Sequence, residues 1–157
     1  MYDRTKGKAE KFSAEFGADV VEELPQVPRR SEIVVTVLSD DEAVKGVVSS
    51  MLGELKGKVL LDMSTIPPSL SVELAKEAKR AGGVMFDAPV VGTSIMAEQG
   101  KLVVLLGGPA EEMRRVSPVL ERLAERVIHV GGNGMGLYAK IVNNLVLGIY
   151  VAALAEA

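Results

Sequence analysis

No cysteine occurs in this sequence, and histidine occurs once. The first absence excludes disulfides, thiol catalysis and cysteine metal sites. The second leaves His129 alone in a strand-like run, so no histidine metal cluster is expected, and no metal site is assigned. An excess of basic charge is also missing. The net charge of −3 and pI near 5.3 offer no positive field for nucleic acid or an anionic membrane, and neither is expected as a partner. No internal repeat or low-complexity segment appears. The apolar run at the C-terminus is interrupted by Lys140, Asn143 and Asn144. With no signal-peptide pattern before the first element, the expectation is a cytoplasmic protein that does not span a membrane.

What is present points to one α/β unit. Hydrophobic residues make up 48% and charged residues 25%, the balance of a soluble globular protein. A chain of 157 residues can bury roughly 70% of its unfolded surface. Strand and helix signals alternate. Residues 6–17 read as a helix with Ala9, Phe12 and Phe16 on one stripe and Gly17 as its stop. Residues 33–38 are a continuous β-branched run, the mark of a strand covered on both faces. Ser39-Asp40-Asp41 caps a helix ending near Gly53, and residues 58–62 form a second buried strand. Pro67-Pro68 opens a helix to Ala81, where a missing N–H does no harm. Residues 84–91 and 102–106 follow as strands, residues 109–125 as a helix and 127–130 as a short last strand. This alternation indicates βαβ units and a largely parallel sheet.

Both ends of the pattern are abrupt. Residues 1–5 read as a strand tip and a turn, and residues 152–157 stop within a helical run without a cap. The expectation is an internal piece of a longer protein, or a short protein completed by another chain.

Lys140 is the chemically informative residue. It is the only formally charged side chain between Arg126 and Glu156 and sits in an otherwise apolar helical run. Asn144 lies one turn on, so one helix face carries an ammonium and an amide. A glycine-rich run, residues 131–136, leads directly into this helix. Burial of an amine lowers its pKa readily, which is how an acid/base lysine is made. The alternative is a lysine that snorkels from the helix edge into water.

Four segments in order carry a resemblance. They are Asp62-Met63-Ser64-Thr65-Ile66-Pro67-Pro68, then Phe86-Asp87-Ala88-Pro89-Val90, then Gly100-Lys101-Leu102 leading to Gly107-Gly108, then Gly134-Met135-Gly136 with Lys140 and Asn143-Asn144. Together they resemble the β-hydroxyacid dehydrogenases, the 6-phosphogluconate dehydrogenase-like group that holds 3-hydroxyisobutyrate dehydrogenase and the tartronate semialdehyde and glyoxylate reductases. The resemblance covers nearly the whole chain. It implies an α/β, Rossmann-like, doubly wound and largely parallel sheet, followed by a long helix that opens an all-helical domain. Residues 1–136 would be a partial dinucleotide-binding domain, and residues 137–157 the first part of that helix.

The resemblance also implies site residues. Lys140 matches the family's active-site lysine, and Asn144 the asparagine one turn later. Leu38 and Ser39 match a strand-end loop that contacts the dinucleotide, and Thr65 the position beside the nicotinamide. Ligands gather at the carboxyl ends of strands in such sheets. NAD or NADP is the implied cofactor. Asp3 favours the ribose diol of NAD, while Arg4 favours the 2′-phosphate of NADP; the pair also reads as solvated charges in a turn.

Two departures stand out. The family's Ser-Gly-Gly after Asp-Ala-Pro-Val is here Val91-Gly92-Thr93. These three remain the implied contacts for a substrate carboxylate through backbone N–H groups, with Thr93 or Ser94 left to replace the lost hydroxyl. Gly92 also reads as a plain turn glycine. Secondly, the first strand, the Gly-x-Gly-x-x-Gly turn and the first helix are absent from residues 1–157. That turn seats the pyrophosphate, and the loss of a central strand is expected to leave a gap in the sheet.

The function implied is hydride transfer between NAD(P) and a small 3-hydroxy acid or its aldehyde or keto form. Lys140 would exchange the hydroxyl proton, and Asn144 would orient the lysine or the substrate. Asp62 and Asp87, at strand ends, read more simply as structural. Homo-oligomerisation, or association through apolar faces, is expected. The alternatives are a non-catalytic oligomerisation or binding module on the same fold, and an inactive fragment. A flavodoxin-type signalling domain lacks its acidic pocket here.

Overall fold

The computed structural model describes residues 1–157. In chain order the elements are α1 (Lys6–Phe16), α2 (Gln26–Arg29), β1 (Ile33–Thr36), α3 (Asp41–Met51), β2 (Val59–Asp62), α4 (Pro68–Arg80), β3 (Val84–Asp87), β4 (Val90–Val91), α5 (Ser94–Glu98), β5 (Leu102–Gly107), α6 (Met113–Leu123), β6 (Ala124–Gly131) and α7 (Met135–Glu156). Short 3₁₀ turns precede β2 and α6.

The strands form one sheet. β1, β2 and β3 pair in parallel, in register from Ile33 to Val59 and from Val59 to Val84. β3 and β4 then lie along β5, antiparallel to it, and β6 pairs with β5 in parallel. The expected Rossmann-like, largely parallel sheet is therefore present, with antiparallel pairing where β5 meets β3 and β4. The expected strand 84–91 is broken in two, because Ala88-Pro89 turns the chain between β3 and β4 and proline has no N–H for the ladder.

β2, beside the edge strand β1, shows how these residues bury the sheet. All four of its residues are buried. Leu60 faces one core with Val44, Val48, Met51, Leu74, Met85 and Leu137. Val59 and Leu61 face the other, with Phe86, Val104, Leu106, Val116 and Leu120. Alternate side chains of one strand thus feed two cores, the first under α3, α4 and the start of α7, the second under α6. Each fully buried Leu or Phe contributes roughly 1.5–3 kcal/mol relative to exposure.

Helix ends follow local chemistry. Asp40 caps α3, its carboxylate accepting from Ala43 N–H at 2.8 Å. Gly17 ends α1 at φ +69°, a conformation that only glycine adopts without strain.

Several expectations need correction. β1 is not covered on both faces. Val34 and Thr36 are buried, but Val35 and Val37 are exposed, because β1 is the edge of the sheet. For the same reason there is no gap: the six strands pair continuously and the sheet ends at β1. Residues 1–5 form no strand; Met1 meets the loop before α2, where its carbonyl accepts from Val21 N–H at 3.0 Å. On α1 only Ala9 is buried, while Phe12 and Phe16 are exposed and stack on each other at 4.5 Å between centroids. Residues 94–98, between the expected strands 84–91 and 102–106, form α5. The expected helix 109–125 starts as a 3₁₀ turn at Ala110 and ends at Leu123, and the last strand is longer than 127–130.

Candidate active site

α7 starts inside the domain. Gly136 and Leu137 are buried, and the helix becomes exposed from Ile141 onward. Its first turn has no side-chain cap of its own. The carboxylate of Asp87, fully buried at the end of β3, takes that place: Oδ1 accepts from Gly134 N–H at 2.7 Å and Oδ2 from Leu137 N–H at 3.2 Å. Burial pushes the Asp87 carboxyl above the ordinary carboxylate value, and the N–H groups it accepts from oppose that rise. Two glycines make room for it. A Cβ on Gly107 would stand 2.5 Å from Asp87 Oδ2, and one on Gly136 would stand 2.8 Å from it. On the same loop, Asn133 Nδ2 donates to Met85 O at 2.7 Å.

One turn further along α7, Lys140 is half-buried. Its Nζ donates to the carbonyl of Val90, on β4, at 2.6 Å. The ammonium is thereby held against the segment that continues into Val91, Gly92 and Thr93. Val91 ends β4 half-buried, and Gly92 is exposed at φ +144°. A Cβ at Gly92 would meet Leu102 Cδ2 at 2.7 Å, so this glycine serves a close approach as well as a turn. Thr93 caps α5: its Oγ1 accepts from Met96 N–H at 3.3 Å. Asn144 is exposed on α7, and its amide oxygen accepts only from Asn143, at 3.4 Å. No hydrogen bond joins Asn144 to Lys140.

A second constellation lies at the carboxyl ends of β1 and β2. Asp62 is fully buried there. Its Oδ1 accepts from Thr36 Oγ1 at 2.8 Å and from Ser64 Oγ at 2.7 Å, and Ser64 Oγ in turn accepts from Leu38 N–H at 2.9 Å. Asp62 Oδ2 has no hydrogen-bond partner. Burial pushes this carboxyl above its ordinary value, against the hydrogen bonds from Ser64 and Thr36. The chain of bonds ties the Leu38–Ser39 loop to the Ser64–Thr65 loop. Ser39 and Thr65 are exposed beside it, and Ser39 Oγ donates to Asp40 Oδ2 at 2.6 Å.

Asp3 and Arg4 sit on the loop before α1. Asp3 Oδ1 accepts from Thr5 N–H at 2.7 Å, which uses one of its oxygens locally. Arg4 is exposed, and its charge acts on Asp40, whose carboxyl is held low first by the Ser39 hydroxyl, then by Ala43 N–H. Tyr2, Asp3, Arg4, Val20 and Glu22 line a shallow cleft. A different cleft, lined by Lys79, Val84, Pro109, Glu111 and Asn133, includes none of the residues singled out from the sequence.

The structure thus groups Lys140 with the Val90–Thr93 segment, and Leu38 and Ser39 with Ser64 and Thr65. It leaves Asn144 without a partner in the site. Sequence reasoning gave Asp87 and Asp62 only structural weight, and missed the Val90 carbonyl altogether. A backbone acceptor has no residue signature, and the partners of Asp87 lie about fifty positions away.

Known proteins are similar to this chain in sequence and in fold. Residues 1–131 match the model of the NAD binding domain of 6-phosphogluconate dehydrogenase. The chain is 35% identical over 146 residues to 2-hydroxy-3-oxopropionate reductase of Escherichia coli K12, a match covering 90% of this chain and 50% of the relative. It is 37% identical over 147 residues to 3-hydroxyisobutyrate dehydrogenase of Pseudomonas aeruginosa, covering 91% and 49%. Among solved structures, 3-hydroxyisobutyrate dehydrogenase of Mycobacterium tuberculosis, determined with L-serine, superposes with a TM-score of 0.93 at 31% identity, over 99% of this chain and 53% of that one. The chain spans about half the length of the curated relatives it matches.

Proposed function

Because this chain belongs to the β-hydroxyacid dehydrogenase family, we propose that it supplies part of the dinucleotide site and the acid/base lysine of an NAD(P)-dependent oxidoreductase. The substrate class is a small 3-hydroxy acid or its aldehyde or keto form, as the names of the relatives suggest. Residues 1–136 are read as a partial dinucleotide-binding domain and residues 137–157 as the start of a helical domain. The observation that carries the reading is the Lys140–Val90 contact, which holds a half-buried ammonium beside a glycine turn.

The residues present fit the cofactor in part. Exposed Ser39 and Thr65 stand on two tied loops at the carboxyl ends of β1 and β2, where ligands gather in such sheets. Arg4 and Asp3, on the loop before α1, are read as the partners of a 2′-phosphate or a ribose diol. No pyrophosphate-binding glycine turn occurs within residues 1–157. When bound, the dinucleotide would supply hydride exchange at its nicotinamide ring.

The chain's own residues do the rest. Lys140 Nζ exchanges a proton with the substrate oxygen. The Val90 carbonyl is a neutral partner that orients the amine through one of its three donor positions, leaving the others for substrate. The backbone N–H groups of Gly92 and Thr93 receive the substrate carboxylate, since the Thr93 hydroxyl is engaged in capping α5. Asn144, exposed one turn along α7 and bonded only to Asn143, is read as orienting the substrate once the substrate is bound.

α7 is long and apolar enough, by length and composition, to cross a membrane. Its residues 141–156 are exposed. Asn143 and Asn144 lie within that stretch. With Lys140, Asn143 and Asn144 interrupting the apolar run, we read its bare face as covered by protein, within a longer chain or a homo-oligomer, and we read the protein as cytoplasmic, as its bacterial relatives suggest. A second reading, a binding or oligomerisation module, draws on the same exposed face.

A chimera tests the proposal: this chain replaces the matching half of the Escherichia coli reductase. Oxidation of reduced cofactor by a small aldehyde acid is measured alongside cofactor titration. Lys140→Ala is expected to cost a factor on the order of 10²–10⁴ in turnover with little change in cofactor affinity. Lys140→Arg should also be slow, because guanidinium stays protonated. An alanine variant that keeps most of its rate would refute the lysine's role.

A further inference from the structure

Two contacts between the β3–β4 segment and α7 share one register. Asp87 meets Leu137, and three residues on in both elements, Val90 meets Lys140. Residues 87–90 thus run beside residues 137–140 as two short rails. We propose that Asp87 is a positioning residue: its carboxylate pins the first turn of α7, and that pinning aims Lys140 at the Val90–Thr93 segment.

Three observations carry this. First, α7 has no cap of its own. Its N-cap is Gly134 at φ +88°, which brings no side chain, so the free N–H groups at the helix start need an outside acceptor. Asp87 provides both oxygens, a charge-assisted contact at the positive end of the helix. Secondly, the space for it is kept by absence. A side chain on Gly107 or Gly136 would overlap the Asp87 carboxylate, and one on Gly136 would also stand 2.3 Å from the carbonyl of Leu105. Thirdly, the rail that carries Asp87 is itself held. Ala88 N–H donates to Asp62 O at 2.7 Å, and Leu105 N–H donates to Pro89 O at 3.0 Å. The Val90 carbonyl therefore cannot follow α7 if the helix shifts. Beyond Lys140 the helix is exposed and nothing within the chain steadies it. Whether Lys140 stays within reach of the Val90 carbonyl depends on the buried first turn.

The inference rests on Lys140 as the acid/base group, so its test reads the position of the lysine and not turnover. In this chain, Asp87→Asn keeps one acceptor oxygen and removes the charge. Lysines are labelled with a limiting amine-reactive acetylating reagent, and the Lys140 rate is set against exposed Lys8 and Lys45 by peptide mass spectrometry. Amide hydrogen exchange is followed on the same samples. The expected result is Lys140 labelling rising several-fold toward the exposed lysines. Exchange at whichever of Gly134 and Leu137 loses its acceptor oxygen should quicken at least about tenfold, the loss of one hydrogen bond to a charged group. Amides of β1 and β2 should be unchanged. Equal acceleration at all amides, or Lys140 labelling that stays put, would overturn the proposal and leave Asp87 as a general staple.

The wild-type chain supplies an independent check should the variant not fold. Gly134 and Leu137 amides must be as protected as those of β3; fast exchange there refutes the anchor. Lys140→Ala in the chimera tests the catalytic reading separately, so either failure is visible without the other.

Discussion

Replacing Gly136 by alanine is expected to destabilise the chain, while the same change at Gly46 and Gly148 is expected to stabilise it. All three glycines lie in helices, where alanine is favoured by about 1 kcal/mol. At Gly46 and Gly148 a Cβ meets nothing within 4 Å, so that gain stands nearly alone. At Gly136 the Cβ would stand 2.3 Å from Leu105 O, 2.8 Å from Asp87 Oδ2 and 3.0 Å from Gly107 N. Two of these are backbone atoms of β5, which cannot rotate aside. The helix start must then move off the sheet, straining the Leu137–Asp87 bond and uncovering Leu137. Overpacking costs roughly 1–3 kcal/mol, and a hydrogen bond to a charged group contributes about 1.5–3 kcal/mol. Less the propensity gain, the net loss is on the order of 2–4 kcal/mol, or about 5–15 °C in Tm for a chain of this size. Urea unfolding at low micromolar concentration reads it as a lower midpoint at constant slope. A Gly136→Ala chain as stable as wild type, or a common sign for all three variants, would mean that α7 does not dock against Leu105 and Asp87.

Two further outcomes follow from the same geometry. Asp62 has a folded-state pKa above its unfolded one, so between the two values the folded state holds the extra proton, and stability falls as pH rises from about 4 through the raised value. Asp62→Asn should reduce that slope, whatever it does to absolute stability, while Asp87 keeps a contribution of the same sign; equal slopes in urea midpoints taken across that range would refute it. In the chimera, Arg4→Ala should weaken NADP more than NAD and Asp3→Ala the reverse, since an arginine–phosphate contact is charge-assisted. Equal small effects on both dinucleotides would put the pair in solvent, away from the ribose.

The amino-acid sequence by itself determined the βαβ order, the buried β2 and the opening of α4 at Pro68, and it singled out Lys140. These depend on local signals: β-branched runs, proline at a helix start, and a charged residue within an apolar helical run. Four short motifs in order were enough to identify the family, because each keeps its residues within a few positions. The tertiary structure alone decided the rest. That β1 is an edge strand with Val35 and Val37 bare depends on what pairs beside it, which a β-branched run cannot report. That Ala88-Pro89 divides the expected strand 84–91 shows only once β3 and β4 are seen to pair separately along β5. The roles of Asp62 and Asp87 rest on partners brought close by folding: a threonine and a serine in one case, backbone N–H groups in the other. The aim of Lys140 was the least legible of all. It is set by the carbonyl of Val90 and by two glycines that keep a space empty, and neither a main-chain oxygen nor a vacant volume is written in a side chain.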